Sequence, residues 1–380
     1  MIPVRVGLIG YGFMGKAHSH AYHDQPFFFS TTHVPVRRVI CGRDRAALEE
    51  AAARWGWEET ETDWRRVVAR EDVDLIDVST PNALHHGVVL AAAAAGKHIL
   101  CEKPLAVTVQ EAEAMVAAVE GAKVTHMIAH HLRKAPALLY ARRLIEDGAL
   151  GRILHVRALW TNDFAIDPEY PLTWRFRRED AGPGGVIGDL HSHLIDLARF
   201  LVGEIVEVVA TADTHIASRP LPRGDSDQAH PGSRGDVTVP DASSILARFE
   251  NGATGVLEAS WVATGHTHGQ RIEINGMDGS LIFDFERMNE LEVYSRTDPG
   301  AARGFRRIVM TDPEHPYIAA WWPPGHGIAY EHLFVHLVHE FMRALDQGAI
   351  PTPNLYDGLR GMRVMAAVEA SVERREWARV

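Results

Sequence analysis

One stretch rich in glycine, histidine and aspartate carries side chains that suit proton transfer. It covers residues 184–196 and has the sequence GGVIGDLHSHLID. If the stretch is helical, Asp189 and His193 lie four residues apart on one face, and Asp196 continues that face. Histidine suits the role of general base because its pKa lies near the usual operating pH, and a carboxylate one turn away can orient its ring. The spacing therefore predicts His193 as a base supported by Asp189.

The same stretch has two other interpretations. Asp189, His191 and His193 are a plausible set of metal ligands, but their spacing matches no standard zinc pattern, so we expect no metal. The histidines can equally be packed and hydrogen-bonded within a core, since short motifs often occur without function. We expect the acid–base role for this stretch.

A glycine pattern near the N-terminus indicates a phosphate-binding turn. Gly10, Gly12 and Gly15 follow an apolar run and precede a helical stretch, which is the context that gives this spacing its meaning. The first glycine allows a tight turn, the second lets a pyrophosphate approach the backbone, and the third lets helix and strand pack closely. The N–H groups at the helix start bind the phosphates. Phe13 and Met14, which lie between these glycines, are predicted to belong to the same phosphate site. The alternative to a phosphate site is a tight strand–helix turn that binds no ligand.

The end of the second strand should meet the adenosine ribose of a dinucleotide. The sequence there is CGRDR, over residues 41–45. A carboxylate at this point binds the 2′-hydroxyl of NAD, whereas an arginine accepts the 2′-phosphate of NADP. Asp44 and Arg43 supply one group of each kind, so we expect NAD, and NADP stays open. Asp44 can instead cap the next helix, and Arg43 can be ordinary surface.

Lys103 is the third feature that could carry chemistry. It follows the fourth strand in the tripeptide Glu102-Lys103-Pro104. Ligands of open α/β sheets sit outside the carboxyl ends of the strands, so a lysine here would reach the nicotinamide end of a dinucleotide. Its ammonium can donate to a substrate hydroxyl and stabilise alkoxide character. A lone lysine at a strand end is more often surface, so this motif depends on the others.

The elements that must position these residues alternate between strand and helix in the first third of the chain. Strand-like runs at roughly 30-residue intervals, separated by helical stretches, predict parallel βαβ units in an open doubly wound sheet. These runs cover 4–9, 36–41, 75–79, 98–101 and 124–128. Near residue 128 the pattern changes to hairpin-like runs that predict an open, mostly antiparallel sheet with helices, an α+β arrangement. We therefore predict an α/β protein with domains at 1–128 and 129–380.

Residues 213–241 interrupt the second domain with a polar stretch rich in Gly, Pro, Arg and Asp. We predict a long exposed loop there. It contains Arg-Gly-Asp twice, at 223–225 and 234–236. A tripeptide is too short to indicate adhesion, so we interpret both copies as loop sequence.

Composition excludes several classes of protein. The 380 residues include 39 Lys+Arg and 50 Asp+Glu, a net charge of −11, so we expect no nucleic-acid partner. The longest apolar run has eight residues, far below the roughly 20 that span a bilayer, so we expect no membrane partner. Two cysteines are too few for a disulfide framework, and no leader pattern is visible. We expect a cytoplasmic protein.

Together these residues resemble the Gfo/Idh/MocA family of sugar and cyclitol dehydrogenases. The resemblance covers essentially the whole chain. The matching segments are GYGFMGKAHS (10–19), STPNALH (79–85), GKHILCEKPLA (96–106) and GGVIGDLHSHLIDLARFLVG (184–203). Within the family, PLTWRF (171–176), SRPLP (218–222) and WWPPGHGIAY (321–330) are similar to levoglucosan dehydrogenase-like members, with inositol dehydrogenases next.

The resemblance implies a Rossmann domain, a C-terminal α/β domain and roles for particular residues. It implies a catalytic trio of Lys103, Asp189 and His193, with His193 as general base. It places Thr80, Pro81, Asn82, His85, Glu102 and Lys103 along the dinucleotide. Residues expected to bind substrate are Lys103, Arg133, Trp174, Arg175, Asp189, His191 and His193. It also implies a homo-oligomer, either a dimer or a tetramer.

We therefore expect hydride transfer between a nicotinamide dinucleotide and a secondary hydroxyl of a sugar, anhydrosugar or cyclitol. Two alternatives remain at this point. One is a redox-neutral enzyme that processes glycosides with a tightly held NAD(H). The other is a non-catalytic dinucleotide-sensing regulator, which would not need Lys103, Asp189 and His193 together.

Overall fold

The computed structural model describes residues 1–222 and 229–380 and divides into two compact units. The first unit comprises residues 1–134 and 328–360. The second comprises residues 135–327 and 361–380.

A six-stranded parallel sheet forms the framework of the first unit. Its strands are β1 (Ile2–Ile9), β2 (His33–Cys41), β3 (Glu59–Glu61), β4 (Leu75–Val78), β5 (His98–Cys101) and β6 (His126–Ile128). Their order is β3-β2-β1-β4-β5-β6, and every neighbouring pair is parallel. All four residues of β4 are buried, as is typical of a parallel sheet covered on both faces. The strand order runs outward in opposite directions from β1 and β4. Doubly wound sheets bind ligands at the point where the order reverses.

Helices connect these strands, and the predicted doubly wound fold is confirmed. They are α1 (Phe13–Phe28), α2 (Arg45–Trp55), α3 (Trp64–Val68), α4 (His85–Ala94) and α5 (Val109–Ala122). Side-chain oxygens of Asp44, Asp63 and Thr108 accept backbone N–H groups at the starts of α2, α3 and α5. These caps explain where the three helices begin. Strand β3 was not predicted, because its three residues are polar and half-buried.

The second unit is built on a nine-stranded sheet of order β16-β15-β14-β13-β7-β12-β11-β8-β17. Only β12 and β7 pair in parallel within that order, so the sheet is mostly antiparallel as predicted. Its strands are β7 (Ile153–Thr161), β8 (Ile205–Asp213), β11 (Ala242–Phe249), β12 (Thr254–Ser260), β13 (Gly269–Gly276), β14 (Gly279–Asp284), β15 (Glu290–Ser295), β16 (Arg306–Val309) and β17 (Ala378–Arg379). Helices α6 (Pro136–Glu146), α7 (Arg178–Ala181) and α8 (Ser192–Leu201) accompany it.

The prediction of an exposed loop over 213–241 is wrong. Strands β9 (Ser218–Pro222) and β10 (Ala229–Asp236) form a separate antiparallel pair. Their proline and glycine content is typical of loops, but a neighbouring segment supports them: the Leu172 N–H donates to the Pro220 carbonyl at 2.7 Å. The Arg-Gly-Asp at 223–225 lies outside the described residues, whereas the copy at 234–236 lies in β10.

Two long helices complete the chain, α9 (Tyr330–Gln347) and α10 (Leu355–Arg374). Helix α9 packs against α1 and β2, so residues 328–360 belong to the first unit. The predicted division at residue 128 assigned this segment to the second domain. The difference arises because an amphipathic helix shows that it has a buried face but not which sheet covers that face.

Candidate active site

The glycine turn after β1 combines two tight contacts with one open position. Gly10 has φ +108°, and a Cβ there would lie 2.3 Å from the carbonyl oxygen of Ser79. A Cβ at Gly15 would lie 2.2 Å from the carbonyl oxygen of Gly10. A Cβ at Gly12, in contrast, would meet no described atom within 4 Å. Packing therefore requires glycine at 10 and 15, while Gly12 borders space that a ligand can enter.

The start of α1 suits an anion. Gly12 is its N-cap residue and has no side chain to accept the first N–H groups, and the first turn contains no acidic residue. Phe13 and Met14 open the helix, and the side chain of Phe13 is largely exposed. Uncapped N–H groups and the positive end of the helix dipole attract phosphate oxygens. The residues present therefore fit the pyrophosphate of a dinucleotide.

The turn after β2 supports the capping role of Asp44. Its Oδ1 accepts from the N–H groups of Ala46 and Ala47 at 3.0 and 3.2 Å, and Arg43 lies exposed beside it. Gly42 is a further constraint that sequence reasoning missed. A Cβ there would lie 2.0 Å from Cε1 of Tyr11, so only glycine lets this ring pack against the strand end.

A buried group of charged and polar side chains, which we call the His18 cluster, was not predicted. His18 Nδ1 lies 2.8 Å from Asp77 Oδ2, and His18 Nε2 lies 3.0 Å from Glu102 Oε1. The hydroxyls of Tyr22 and Ser79 donate to Asp77 at 2.8 and 3.3 Å. The cluster joins α1 to the ends of β4 and β5. The one signal in the sequence is the position of His18, which follows Gly15 by three residues and so lies on the side of α1 that faces the sheet.

The two carboxylates determine the protonation of this cluster. Burial alone would lower the pKa of His18, but Asp77 and Glu102 outweigh it and raise that pKa to about 10. Burial likewise raises the pKa of Glu102, and the hydrogen bond and charge of His18 reverse the effect, so the net pKa is lowered. His18 is therefore an imidazolium at neutral pH.

The loops after β4 and β5 are tied to each other. The ring nitrogens of buried His85 lie 3.0 Å from the carbonyl oxygens of Thr80 and Pro104, and burial lowers the pKa of this histidine. The Lys103 N–H donates to Glu102 Oε2 at 3.0 Å. The predicted cofactor residues of the two loops are thus neighbours in the structure: Thr80, Pro81, Asn82, His85, Glu102 and Lys103.

Thr80 adds an observation that favours a ligand at these loops. Its Oγ1 is buried and has no hydrogen-bond partner within residues 1–222 and 229–380. Native structures rarely leave such an atom unsatisfied without a bound group or an ordered water.

Arg133 is buried within the first unit, and its predicted role in substrate binding stays a prediction. It is 6% exposed, and its Nη2 lies 3.3 Å from Asp357 Oδ1. Next to it, the ring of His131 stacks on Phe334 with centroids 4.2 Å apart, and burial lowers the pKa of His131 to about 3. Both side chains help to pack the first unit.

In the second unit, the predicted base lies just beyond an irregular turn. Residues Ile187–His191 form a π-helical turn that continues into α8, rather than one regular α-helix. Such turns often occur at functional sites. Gly185, at φ +49°, allows the approach that this turn needs, because a Cβ there would lie 2.5 Å from the Pro240 carbonyl oxygen. The ring of His193 lies 5.0 Å from that of Trp160 on β7.

His191 has the surroundings of a packed core histidine. It is completely buried, its Nε2 lies 3.2 Å from the Ser243 carbonyl oxygen, and burial lowers its pKa to about 4. Its buried Nδ1 has no hydrogen-bond partner in the described part of the chain. The predicted contact of His191 with the substrate stays a prediction.

Polar atoms without partners surround the Trp160–His193 contact. Gln270 lies opposite Trp160 across β13 and β7, and the ring of His268 lies 4.9 Å from that of Trp160. Asn162 follows the same strand β7. Trp160 Nε1, His268 Nε2, Asn162 Oδ1 and both amide atoms of Gln270 have no hydrogen-bond partner in the described part of the chain. We call these four side chains the polar group around His193.

Trp174 and Arg175 form a half-buried pair on a short turn, with the Arg175 guanidinium 4.6 Å from the Trp174 ring centroid. Sequence reasoning missed the residue that anchors this segment. Arg219 in β9 is fully buried, lies 4.3 Å from the Phe176 ring centroid and donates to the carbonyl oxygens of Asp167 and Ala165 at 2.8 and 2.5 Å. The β9–β10 pair thus holds the segment that carries both predicted residues.

Residues 1–222 and 229–380 contain neither a metal-binding group nor a membrane-spanning helix. No three His, Cys, Asp or Glu side chains there are grouped so as to hold a metal ion. None of the helices in that part is long and apolar enough to cross a membrane.

A doubly wound parallel sheet with this glycine turn defines a dinucleotide-binding oxidoreductase class, and comparisons with known proteins specify the family. Residues 4–130 match the oxidoreductase family model with the NAD-binding Rossmann fold, and residues 138–282 match the GFO/IDH/MocA C-terminal domain. The chain therefore belongs to the Gfo/Idh/MocA family of oxidoreductases.

Relatives are similar over the full length. The chain is 42% identical to the levoglucosan dehydrogenase of Pseudarthrobacter phenanthrenivorans, over 100% of this chain and 99% of the relative. A crystal structure of an oxidoreductase domain protein from Kribbella flavida is 47% identical, with a TM-score of 0.95 and full coverage of both chains. A levoglucosan dehydrogenase in complex with NADH and levoglucosan is 41% identical, with a TM-score of 0.94 over 100% and 99% of the two chains.

Replacing Gly12 tests the phosphate site. We expect Gly12→Val to lose most of its affinity for NAD, because the branched side chain fills the open space beside the first N–H groups of α1. Titration calorimetry with NAD and NADH measures the loss. Gly121→Val, at an exposed position of α5, is the matched control and should bind normally. A folded Gly12→Val protein with wild-type affinity would contradict the assignment.

The His18 cluster predicts a particular dependence of stability on pH. The folded pKa of about 10 exceeds the ordinary 6.5, so the stabilisation is complete below pH ~6.5 and is lost as pH rises through ~10. Relative to His18→Gln, the wild-type free energy of unfolding should fall by up to about 1.4 kcal/mol per pH unit in that window. Urea unfolding at several pH values measures it. A difference that stays constant or grows with pH would be inconsistent with a buried imidazolium.

Proposed function

We propose that this protein oxidises a secondary hydroxyl of levoglucosan, or of a closely related anhydrosugar, with NAD as the hydride acceptor. The observation that carries the proposal is the polar group around His193, a set of buried hydrogen-bonding atoms that lack partners beside a histidine able to accept a proton. The full-length similarity to levoglucosan dehydrogenases supports the choice of substrate.

The polar group around His193 favours a ligand with several hydroxyls. A buried polar atom without a partner costs about 1–3 kcal/mol, so a cluster of them needs an explanation. Each sugar hydroxyl is both a donor and an acceptor, and it matches the amide of Gln270, which offers one of each. The indole N–H of Trp160 adds a donor, and Asn162 Oδ1 adds an acceptor. An apolar or singly charged substrate would leave most of these atoms unpaired.

The proposed chemistry requires the hydroxyl to lose a proton while its carbon loses a hydride. A bound nicotinamide dinucleotide supplies the hydride acceptor. His193 takes the hydroxyl proton as general base, and Asp189 assists it, as the resemblance to the family implies. The resemblance to the family assigns Lys103 the role of stabilising the negative charge that develops on the hydroxyl oxygen. The products are a ketone, the reduced dinucleotide and a proton that passes from His193 to solvent.

We propose NAD as the preferred dinucleotide. Asp44 uses one carboxylate oxygen as a helix cap, which leaves the other for the ribose hydroxyl of NAD. Arg43 lies exposed at the same turn and can pair with the 2′-phosphate of NADP. The predicted cytoplasmic location and homo-oligomeric state stay predictions.

The experiment that tests the function is a substrate screen with the purified chain. Levoglucosan, glucose, xylose and myo-inositol are each offered with NAD and with NADP, and reduced nicotinamide is followed by absorbance. The proposal expects the highest kcat/KM with levoglucosan and NAD. Turnover of a glycoside without net NADH would favour the redox-neutral alternative, and binding of NAD with no turnover of any sugar would favour a regulator.

Replacing His193 tests the base. We expect His193→Ala to lose about 10²–10⁴-fold in kcat while NADH affinity stays near wild type, because the imidazole serves the proton and not the dinucleotide. Steady-state kinetics and NADH fluorescence titration separate the two quantities. His266→Ala, at an exposed position of the same unit, is the control. Wild-type turnover by His193→Ala would contradict the assignment.

Replacing Gln270 tests substrate recognition. We expect Gln270→Leu to raise the KM for levoglucosan about 10-fold or more, since losing both amide groups leaves sugar hydroxyls unpaired. Arg271→Leu is the matched control, because the next residue of β13 is exposed on the opposite face. Equal KM values for the two variants would remove Gln270 from the substrate site.

A further inference from the structure

His18 lies far from Lys103 in the sequence but is hydrogen-bonded to Glu102, the residue before Lys103. It stands on the second turn of α1, yet its two ring nitrogens reach the ends of β4 and β5. We propose that His18 is a positioning residue for Lys103: through the carboxylate of Glu102 it fixes the backbone that carries the lysine. The inference rests on the proposed function, in which Lys103 assists the reaction.

The path from His18 to Lys103 consists of two hydrogen bonds on one carboxylate. Glu102 Oε1 accepts from His18 Nε2 at 3.0 Å, and Glu102 Oε2 accepts from the Lys103 N–H at 3.0 Å. The Glu102 side chain therefore folds back onto the backbone of the next residue. It is 4% exposed, so it has little freedom to leave this arrangement. The carboxylate transmits the position of α1 directly to the peptide that precedes the Lys103 Cα.

Geometry also requires His18 to carry a positive charge. Its two ring nitrogens each face a carboxylate oxygen, at 2.8 Å for Asp77 and 3.0 Å for Glu102. A neutral imidazole has one N–H donor, so it would turn a lone pair toward one of the carboxylates. An imidazolium donates to both and compensates two buried negative charges. Further neighbours are the hydroxyl of Tyr22, which donates to Asp77, the hydroxyl of Ser79, 3.4 Å from His18 Nδ1, and the ring of Phe334, 5.5 Å away.

Removing the imidazolium should release Glu102. A buried carboxylate that loses its partner is strongly destabilised, so Glu102 would take up a proton or rotate toward water. Either change weakens the hydrogen bond that holds the Lys103 N–H. The lysine would then lose its fixed backbone while the glycine turn at the other end of the dinucleotide site stays intact. Turnover should therefore fall much more than the affinity for NAD.

A double-mutant cycle tests this path. We compare the wild type, His18→Gln, Lys103→Ala and the double variant, with His20→Gln as the matched control, since His20 is an exposed histidine of α1 paired with Asp24. We expect His18→Gln to lower kcat about 10- to 100-fold with little change in NADH affinity. Adding it to Lys103→Ala should cause little further loss, because both changes then act through one ammonium group.

Each outcome of the cycle has a defined meaning. Losses from His18→Gln and Lys103→Ala that multiply in the double variant would show that His18 acts elsewhere and overturn the inference, as would wild-type kcat in His18→Gln. Wild-type turnover by Lys103→Ala alone would overturn the proposed role of the lysine, and the inference with it. That result is visible before the double variant is measured, so the two failures are distinguishable.

A measurement on the wild-type chain covers the case in which His18→Gln does not fold. Nitrogen chemical shifts of ¹⁵N-labelled imidazole rings report whether each ring is singly or doubly protonated. Comparison with His20→Gln and with Glu102→Gln assigns the buried ring, because the second variant removes one of its two carboxylate partners. We expect the His18 ring to be doubly protonated at pH ~8. A neutral ring at that pH would overturn the inference.

Discussion

The hydrogen bonds of one buried imidazolium to two carboxylates organise the dinucleotide-binding unit. His18, Asp77 and Glu102 come from α1 and from the ends of β4 and β5, which are the elements that border the point where the strand order reverses. Each charge would be costly if it were buried alone, so the three must stay together. The glycine turn, the 79–82 loop and the 102–104 loop all extend from these elements. Their relative positions therefore depend on this cluster.

The second unit uses buried polar groups in two contrasting ways. Two nitrogens of the Arg219 guanidinium donate to backbone carbonyls and its face packs on Phe176, so this side chain holds a loop. The side chains of Trp160 and Gln270 lack such partners within the part of the chain that the structure describes. Hydrogen bonds of the first kind maintain the fold, whereas a group of buried polar atoms without partners favours a bound ligand. This contrast connects the packing of the sheet to the recognition of a sugar.

Patterns local in sequence predicted the doubly wound sheet and the glycine turn, because period, turn residues and helix starts are local properties. Features that depend on distant partners were missed. His18 meets its two carboxylates 59 and 84 residues away, and no local pattern signals that meeting. Strand β3 has no apolar residue to reveal it, and β9 and β10 have the composition of a loop. The π-helical turn at Ile187–His191 was also missed, because helical spacing alone could not indicate it.

The proposed reaction is a net transfer of a hydride from a sugar carbon to a dinucleotide, with the proton leaving through the protein. The most direct measurement uses levoglucosan deuterated at its carbinol carbons together with NAD, and determines by mass spectrometry where the deuterium goes. Direct hydride transfer places one deuterium in NADH for every ketone formed. Two results would contradict direct hydride transfer. One is formation of a ketone or a cleaved product without accumulation of deuterated NADH, and the other is formation of unlabelled NADH.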